Sequence, residues 1–239
     1  MSSQPLPPES PDEGSTDLAT LVQALIVSRH SVAPKRLLAP GPSDAQLLQM
    51  IEAATCAPDH RALRPWRLIR IADSQRDALA DLFEACARDR EPTLRAADLA
   101  KSRDKAYRAP TLLLAVLRSR PDDPEVPPTE RAVTLGAALM NLLLAAHGQG
   151  FAAMLTSGRA VRSPRFGSAL GLSSDEQAVC FVSIGSARVA QGHARAQVAD
   201  LLSDWQPPHW PPGTWETAAA RGGLDTAPPA ISCPGGPPP

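Results

Sequence analysis

The segment Ala57-Pro58-Asp59-His60, followed five residues later by Pro65-Trp66, is the stretch of this chain whose residue types best suit binding chemistry. A proline biases the residue before it away from helical geometry, so the chain should break at Ala57 and again at Arg64. We therefore expect a helix end, a rigid loop that carries the imidazole of His60, and then a strand. Such loops are frequent sites of binding. An ordinary surface turn with a solvated histidine explains the same residues and stays open.

A basic cluster, Arg29-His30-Ser31, follows the first predicted helix and continues into Pro34-Lys35-Arg36. Guanidinium groups, a hydroxyl and backbone N–H groups together suit a phosphate. The chain contains neither a Gly-x-Gly-x-x-Gly sequence nor a Walker loop, which speaks against a Rossmann or P-loop cofactor site. The alternative for Arg29 is a solvated helix end.

Nucleophilic and metal chemistry find little support. The turn Thr156-Ser157-Gly158 lacks the Gly-x-Ser-x-Gly context that exposes a catalytic serine, and Ser157 could be a plain turn residue. No His-x-x-x-His or Cys-x-x-Cys spacing indicates a metal. Cys56 and His60 could pair as nucleophile and base, but Cys56 is predicted at a helix C-terminus, whose negative dipole end disfavours a thiolate.

Composition sets the broad class. The 239 residues suit one sizeable domain, and 24 basic against 25 acidic residues leave a formal charge of -1, so no charge excess favours nucleic acid. The four cysteines show no disulfide framework, which is typical of the cytoplasm. The start of the chain does not resemble a signal peptide, and the longest apolar windows are too short to span a membrane.

Apolar residues at helical spacing predict helices, and short apolar runs predict strands. The predicted helices cover residues 18–28, 44–56, 74–88, 92–108, 129–147 and 164–170. The predicted strands cover residues 67–72, 111–117, 151–155 and 178–184. Ser43 and Thr129 are expected N-caps, and the highly charged 92–108 should be a solvated face. The layout is α+β or α/β, with a small sheet covered by helices.

Both ends of the chain are predicted to be detached from this body. Residues 1–17 are rich in proline and poor in large apolar residues, and residues 206–239 hold ten of the 26 prolines. Such segments bury too little apolar surface to offset their ordering entropy, so we expect disorder in both. Trp205, Trp210 and Trp215 suggest that the start of the C-terminal tail lies against the body or a partner subunit.

In series, the motifs resemble the FMN-dependent nitroreductase family, and most closely its compact bacterial NAD(P)H nitroreductase branch. The matching pieces are Arg29-His30-Ser31, Ala57-Pro58-Asp59-His60 with Pro65-Trp66, Arg108-Ala109-Pro110 before a strand, Gly136-Ala137-Ala138 in a long helix, and Ser157-Gly158. The resemblance covers residues 18–205. It implies an α+β, nitroreductase-like sandwich with a small mixed sheet covered by helices, forming an intertwined homodimer with a flavin at each subunit interface.

The resemblance also implies site residues. Arg29, His30 and Ser31 would hold the phosphate and ribityl region of FMN. Cys56 and His60 would reach the FMN of the partner subunit, and Leu155, Thr156 and Ser157 would line the isoalloxazine ring. The nicotinamide nucleotide would contact the run Ala145, Ala146, His147, Gly148, Gln149 and Gly150. No side chain is assigned as a general acid or nucleophile, because the flavin supplies the chemistry.

The chain departs from the branch's pattern in three places. His30 stands where the branch has an arginine. Leu155-Thr156 stands where the branch has Trp-Arg, which should widen the acceptor pocket and weaken anion binding. The loop Ser31 to Pro40 is longer by two residues.

The expected function is that of a cytoplasmic homodimeric FMN oxidoreductase that uses NADH or NADPH to reduce nitro- or quinone-like small molecules. Because of the departures at His30, Leu155 and Thr156, a non-catalytic dimer that binds flavin or another ligand in the same pocket is the alternative. A third possibility is a protein that binds partners through its Pro/Trp-rich tail.

Overall fold

The computed structural model describes residues 13–120, 123, 125–188, 195 and 201–205. The chain divides into two compact units, Met1–His193 and Ala194–Pro239, and the first contains every helix and strand reported below. The predictions for residues 1–12 and 206–239, including Trp210 and Trp215, lie outside the described residues. The first helix, α1, spans Glu13–Ser28, so residues 13–17 are helical where the sequence analysis predicted disorder. An acidic residue at the first position, Glu13, is favoured by the helix dipole and helps to extend the helix over these residues.

In the described part of the chain the sheet has four strands: β1 (Trp66–Arg70), β2 (Thr111–Arg118), β3 (Ala152–Thr156) and β4 (Glu176–Gly185). Their spatial order is β1-β2-β4-β3, and all three pairings are antiparallel. The prediction of a mixed sheet is therefore wrong for these four strands, since every pairing between them is antiparallel. The parallel pairing that occurs among the described residues is the isolated bridge between Ser31 and Ala153.

Helices cover both faces of the sheet, because the central strand β2 carries apolar side chains on both of its faces. Its first seven residues are buried, and successive side chains point to opposite faces. Leu113, Ala115 and Leu117 belong to the core that β2 shares with helices α2 (Asp44–Thr55) and α5 (Pro128–Gly148). Leu112, Leu114 and Val116 belong to the opposite core, with α3 (Arg76–Arg90) and α6 (Pro164–Ala169). A continuous apolar run is thus explained by burial on both sides.

The observed helix ends can be compared with those that local sequence signals predicted. Ser43 caps α2 as predicted, accepting a hydrogen bond from the Gln46 backbone N–H while the Gln46 side chain accepts one from Ser43 N–H. The predicted Thr129 cap of α5 is wrong, because the helix begins at Pro128, whose fixed φ suits the first helical position. The predicted helix over 92–108 is shorter, as α4 (Ala96–Arg103), and continues as the 3-10 helix Asp104–Tyr107.

Within the ranges that the structure describes, no helix is both long and apolar enough to cross a membrane.

Candidate functional site

The predicted phosphate-binding segment Arg29-His30-Ser31 lies beside β3, the strand that leads into the predicted flavin-ring residues. Ser31 forms a parallel bridge with Ala153 in β3, and the Val32 backbone N–H donates to the Ala153 carbonyl at 3.3 Å. A strand rises about 3.3 Å per residue, so Leu155 at the end of β3 lies about 7 Å further along. The structure therefore brings the segments 29–31 and 155–157 together, although they are far apart in sequence.

A cavity of about 630 Å³ opens where β3 ends. This volume lies within the range typical of small-molecule and cofactor pockets. Of the predicted flavin residues, Leu155, Thr156 and Ser157 line the cavity, and Pro34, from the loop after Ser31, also reaches it. Arg29, His30 and Ser31 themselves do not line it.

The floor of the cavity is aromatic. Phe83 and Phe181 line it, and Phe166 lies behind them, fully buried. The three rings pack with centroids 5.7 to 6.1 Å apart, in one stacked and two edge-to-face contacts. Such contacts fix ring positions and add to the burial energy. The cavity therefore has a rigid apolar floor suited to a planar ligand.

Four cationic side chains surround this floor: Arg90, Lys105, Arg108 and Arg159. The pKa of Lys105 is lowered, first by partial desolvation of its ammonium and then by the charges of Arg108, Arg90 and Arg159. Sequence reasoning missed all four as site residues. It interpreted the charged stretch 92–108 as a solvated face, and the only available signal was Arg108-Ala109-Pro110 before the strand.

One cation bears on the Leu155-Thr156 departure, which replaces the arginine of the branch by Thr156. Arg159 lines the cavity a few residues further along the chain. Arg159 opens the short 3-10 helix Arg159–Arg162, which follows the Thr156-Ser157-Gly158 turn. The charge is thus supplied from a different position.

The Cys56 and His60 pair lies at the end of α2 and does not line this cavity. Nδ1 of His60 lies 2.6 Å from Oε1 of Glu130, in the first turn of α5, and both side chains are about half exposed. Cys56 is exposed, with its Sγ 3.8 Å from the Glu52 carbonyl. The residues occupy the α2–α5 side of the molecule.

The loop that carries His60 is held in an unusual backbone conformation. Arg61, Ala62 and Arg64 have positive φ angles of 61°, 52° and 47°. For non-glycine residues this conformation is strained and persists only where surrounding contacts impose it. One such contact is the Asp59 carboxylate, which accepts a hydrogen bond from the Arg64 backbone N–H at 2.7 Å. This hydrogen bond spans the turn that carries His60.

The predicted nucleotide run, residues 145–150, forms the end of α5 and the turn into β3. Ala146 is fully buried in the core, and Nε2 of His147 lies 2.8 Å from Oγ of Ser28. The turn closes on Gly150, whose φ of 84° favours glycine, and its N–H donates to the His147 carbonyl. A helix C-terminus carries partial negative charge, which disfavours a nucleotide phosphate here. No residue of the run lines the cavity at the end of β3.

A metal centre finds no support in the portion of the chain that is described, where no group of three His, Cys, Asp or Glu side chains could hold an ion.

The architecture, an antiparallel four-stranded sheet between helices, is an α+β fold shared by solved nitroreductase-like proteins. A nitroreductase-like family protein from Bacillus cereus superposes with a TM-score of 0.66 at 20% identity, covering 78% of this chain and 96% of that chain. A protein from Desulfovibrio desulfuricans named "putative nitroreductase" and solved in complex with FMN superposes with a TM-score of 0.59 at 23% identity, covering 78% of this chain and 98% of that chain.

Sequence comparisons establish the family. The family model described as "Nitroreductase family" matches residues 26–186. A protein of Escherichia coli K12 named "Putative NAD(P)H nitroreductase YdjA" is 30% identical over 162 residues, covering 68% of this chain and 86% of that protein. A Haemophilus influenzae protein named "Putative NAD(P)H nitroreductase" is 32% identical with the same coverage. The chain belongs to the nitroreductase family.

Proposed function

We propose that this protein is an FMN-dependent oxidoreductase that takes hydride from NADH or NADPH and reduces nitro- or quinone-like small molecules. The observation that carries the proposal is the cavity at the end of β3, joined through the Ser31–Ala153 bridge to the segment predicted to hold a phosphate. Membership of the family, the names of its relatives and the FMN in the Desulfovibrio desulfuricans structure support the same activity.

The cavity and the adjoining segment 29–31 together suit FMN. Arg29 and Ser31 provide a guanidinium and a hydroxyl for the phosphate, with His30 between them. Leu155, Thr156 and Ser157 would lie along the flavin ring at the end of β3, beside the floor formed by Phe83 and Phe181. The volume and the apolar floor fit a planar ring system. Bound FMN would supply the redox chemistry, with hydride in from NAD(P)H and hydride or electrons out to the acceptor.

The protein's own part in the reaction is to orient, to exclude water and to place charge. Apolar side chains on the floor exclude water from the reacting faces, which strengthens electrostatic interactions within the cavity. The ammonium of Lys105 and its neighbouring arginines stabilise negative charge that develops there. The nicotinamide nucleotide would contact residues 145–150 through its uncharged groups, because the C-terminus of α5 disfavours phosphate.

The working unit is proposed to be a homodimer. Helix α1 exposes an apolar face to solvent, with between 42% and 66% of each side chain accessible; its members are Leu18, Leu21, Val22, Ile26 and Val27. Contiguous exposed apolar surface of this kind marks an interaction site. Sedimentation of the purified protein at micromolar concentration should give a dimer, and a monomer would contradict this part of the proposal.

Flavin binding gives the first test. Protein reconstituted with FMN and then desalted should keep the yellow absorbance of bound flavin, and complete loss of colour would refute the function. Anaerobic stopped-flow mixing with NADH or NADPH should then bleach the bound flavin rapidly. The departures at His30, Leu155 and Thr156 favour a second candidate, a non-catalytic flavin-binding dimer in the cytoplasm, which would keep its colour under saturating NAD(P)H.

Placement of His60 at the partner's flavin has its own test. A hydrogen bond to a cofactor contributes about 0.5–1.5 kcal/mol, or about 3 kcal/mol if charged, so His60→Ala should weaken FMN affinity by about 2- to 100-fold. In heterodimers of His60→Ala with Arg29→Ala chains, one pocket would take both defects and the other neither. Flavin titration should therefore find one near-normal site per heterodimer. Two equally impaired sites would place His60 in the pocket of its own subunit.

A further inference from the structure

The cation cluster, Arg90, Lys105, Arg108 and Arg159, converges on one cavity from three separate elements. Arg90 ends α3, Lys105 and Arg108 belong to the 3-10 helix after α4 and its cap, and Arg159 opens the 3-10 helix after β3. Among the described residues, no aspartate or glutamate lines the cavity. Since the whole chain is nearly neutral, with a formal charge of -1, this local excess of positive charge is not a consequence of composition.

Three carboxylates of α3 are engaged by other side chains, and Glu91 and Asp104, which adjoin Arg90 and Lys105 in sequence, do not line the cavity. Arg103 binds both Asp81 and Glu84 of α3, and Arg165 binds Asp89. Within the described part of the chain, no member of the cation cluster forms an ion pair or a hydrogen bond with a protein group. The pKa of Lys105 is lowered first by partial desolvation of its ammonium and then by the positive charges of its three arginine neighbours. Like charges held together around a partly desolvated cavity repel one another, and a bound anion removes that repulsion.

The same cavity has an apolar floor, formed by Phe83, Leu112, Val161 and Phe181. A ligand that contacts both the apolar floor and the cation cluster has an aromatic or otherwise planar body and an anionic substituent. The phosphate-type residues Arg29 to Ser31 do not line the cavity, so the predicted flavin phosphate does not account for the cluster.

We propose that the cation cluster selects an electron acceptor that bears an anionic group, such as a carboxylate, sulfonate or phosphate on an aromatic ring. The inference rests on the proposed function in one respect, namely that the acceptor enters this cavity. Arg159 and Arg90, which are exposed at its rim, meet the anionic group, while the ring lies over the phenylalanine floor.

A matched ligand pair tests the proposal without turnover. FMN-saturated protein, with no reductant present, is titrated calorimetrically with 4-nitrobenzoate and with methyl 4-nitrobenzoate, which share the nitroaromatic ring and differ in charge. The wild type should bind the acid at least about 10-fold more tightly than the ester.

An exposed charge pair contributes up to about 1 kcal/mol, so Arg159→Gln should lower this ratio about 3- to 5-fold, and Arg90→Gln/Arg159→Gln should lower it further. At about 1 M salt, where the Debye length is about 3 Å, the ratio of the wild type's affinities for the acid and the ester should fall.

The control is Arg162→Gln, on the same 3-10 helix as Arg159. Arg162 is exposed and does not line the cavity, so this variant makes the same change of net charge without touching the cluster. The ratio of this variant's affinities for the acid and the ester should stay within about twofold of the wild-type ratio, because a distant surface charge is screened by solvent. Equal affinity of the wild type for acid and ester, or equal effects of Arg159→Gln and Arg162→Gln, would overturn the proposal.

Two further measurements separate other sources of negative charge. If Arg159→Gln weakens FMN but not riboflavin, with the acid-to-ester ratio unmoved, the cluster serves the flavin phosphate and the proposal is wrong. If the variant changes only the KM ratio of NADPH to NADH, the cluster serves the nucleotide's phosphate, which also overturns it. Retained preference for the acid in a protein whose flavin is not bleached by NAD(P)H would refute the reductase function while leaving the anionic aromatic ligand supported.

Discussion

The ion pair between Arg67 in β1 and Glu176 in β4 is expected to be a measurable source of stability that depends on pH. Arg67 donates two hydrogen bonds to the Glu176 carboxylate, at 2.7 and 2.8 Å, and the Glu176 side chain is only 8% exposed. The hydrogen bond from Arg67 is the main reason that the pKa of Glu176 falls to about 2, with smaller contributions from the Ser173 backbone N–H and from Arg118.

The magnitude follows from that pKa. An ordinary glutamate value of 4.5 lowered to about 2 corresponds to at most about 3 kcal/mol in favour of the charged form at neutral pH. The Arg67 side chain is 34% exposed and Arg118 stays close to the carboxylate, so solvent screening and the remaining partner reduce the expected loss. Arg67→Met should therefore lower the free energy of unfolding by about 2 kcal/mol at pH 7.

The sign of the pH dependence is fixed by the lowered pKa. Because Glu176 binds its proton less readily in the folded protein, its contribution is fully present above about pH 4.5 and is lost as the pH falls towards about 2. Urea unfolding, which leaves ionic strength unchanged, should show the gap between wild type and Arg67→Met shrinking by about half at pH 3.

The matched control is Arg70→Met on the same strand. Arg70 pairs with Asp44 at 2.7 Å, but both side chains are more than half exposed, so the loss should stay below about 0.5 kcal/mol. Equal losses for Arg67→Met and Arg70→Met at pH 7, or a gap that does not shrink at pH 3, would refute the reasoning.

Three other substitutions test the packing that supports the site. Ser43→Ala removes the capping box of α2 and should cost about 1 kcal/mol in urea unfolding; a loss under a few tenths would mean that water replaces the cap. Phe166→Ala leaves a cavity behind the aromatic floor and should cost about 3–5 kcal/mol, read from the urea midpoint, whereas Phe166→Leu should cost much less. Gly185→Ala would place a Cβ 2.7 Å from the Pro110 side chain and should cost about 1–3 kcal/mol; thermal unfolding unchanged from the wild type would contradict this close packing.

Several elements were predictable because their signals are local. The Ser43 cap and Gln46 lie within one turn of each other, so their reciprocal bonding needs no distant contact. The strand predicted at 111–117 is observed as Thr111–Arg118, because a short leucine-rich run after a proline has few alternatives in a buried sheet. The start of α5 was missed although it is also local: Pro128 suits the first helical position better than Thr129 suits a cap.

Strand pairing could not be obtained in the same way. The sequence predicted four strands, but the order β1-β2-β4-β3 and its antiparallel sense depend on which edges meet after the helices pack. The expected mixed sheet came from the family resemblance rather than from the residues of this chain. Only the isolated bridge from Ser31 to Ala153 is parallel among the described pairings.

The sequence by itself determined the family of this protein, through motifs such as Ala57-Pro58-Asp59-His60 in which each residue constrains its immediate neighbours. Only the tertiary structure decided which charges surround the cavity. Arg90, Lys105 and Arg159 come from segments whose sequences are typical of solvated surface. No local feature distinguishes them from Arg88 or Arg103, both of which pair with Glu84. Whether a cation is neutralised or left facing a cavity depends on carboxylates brought near by folding, because electrostatic interactions act over distance in space and not along the chain.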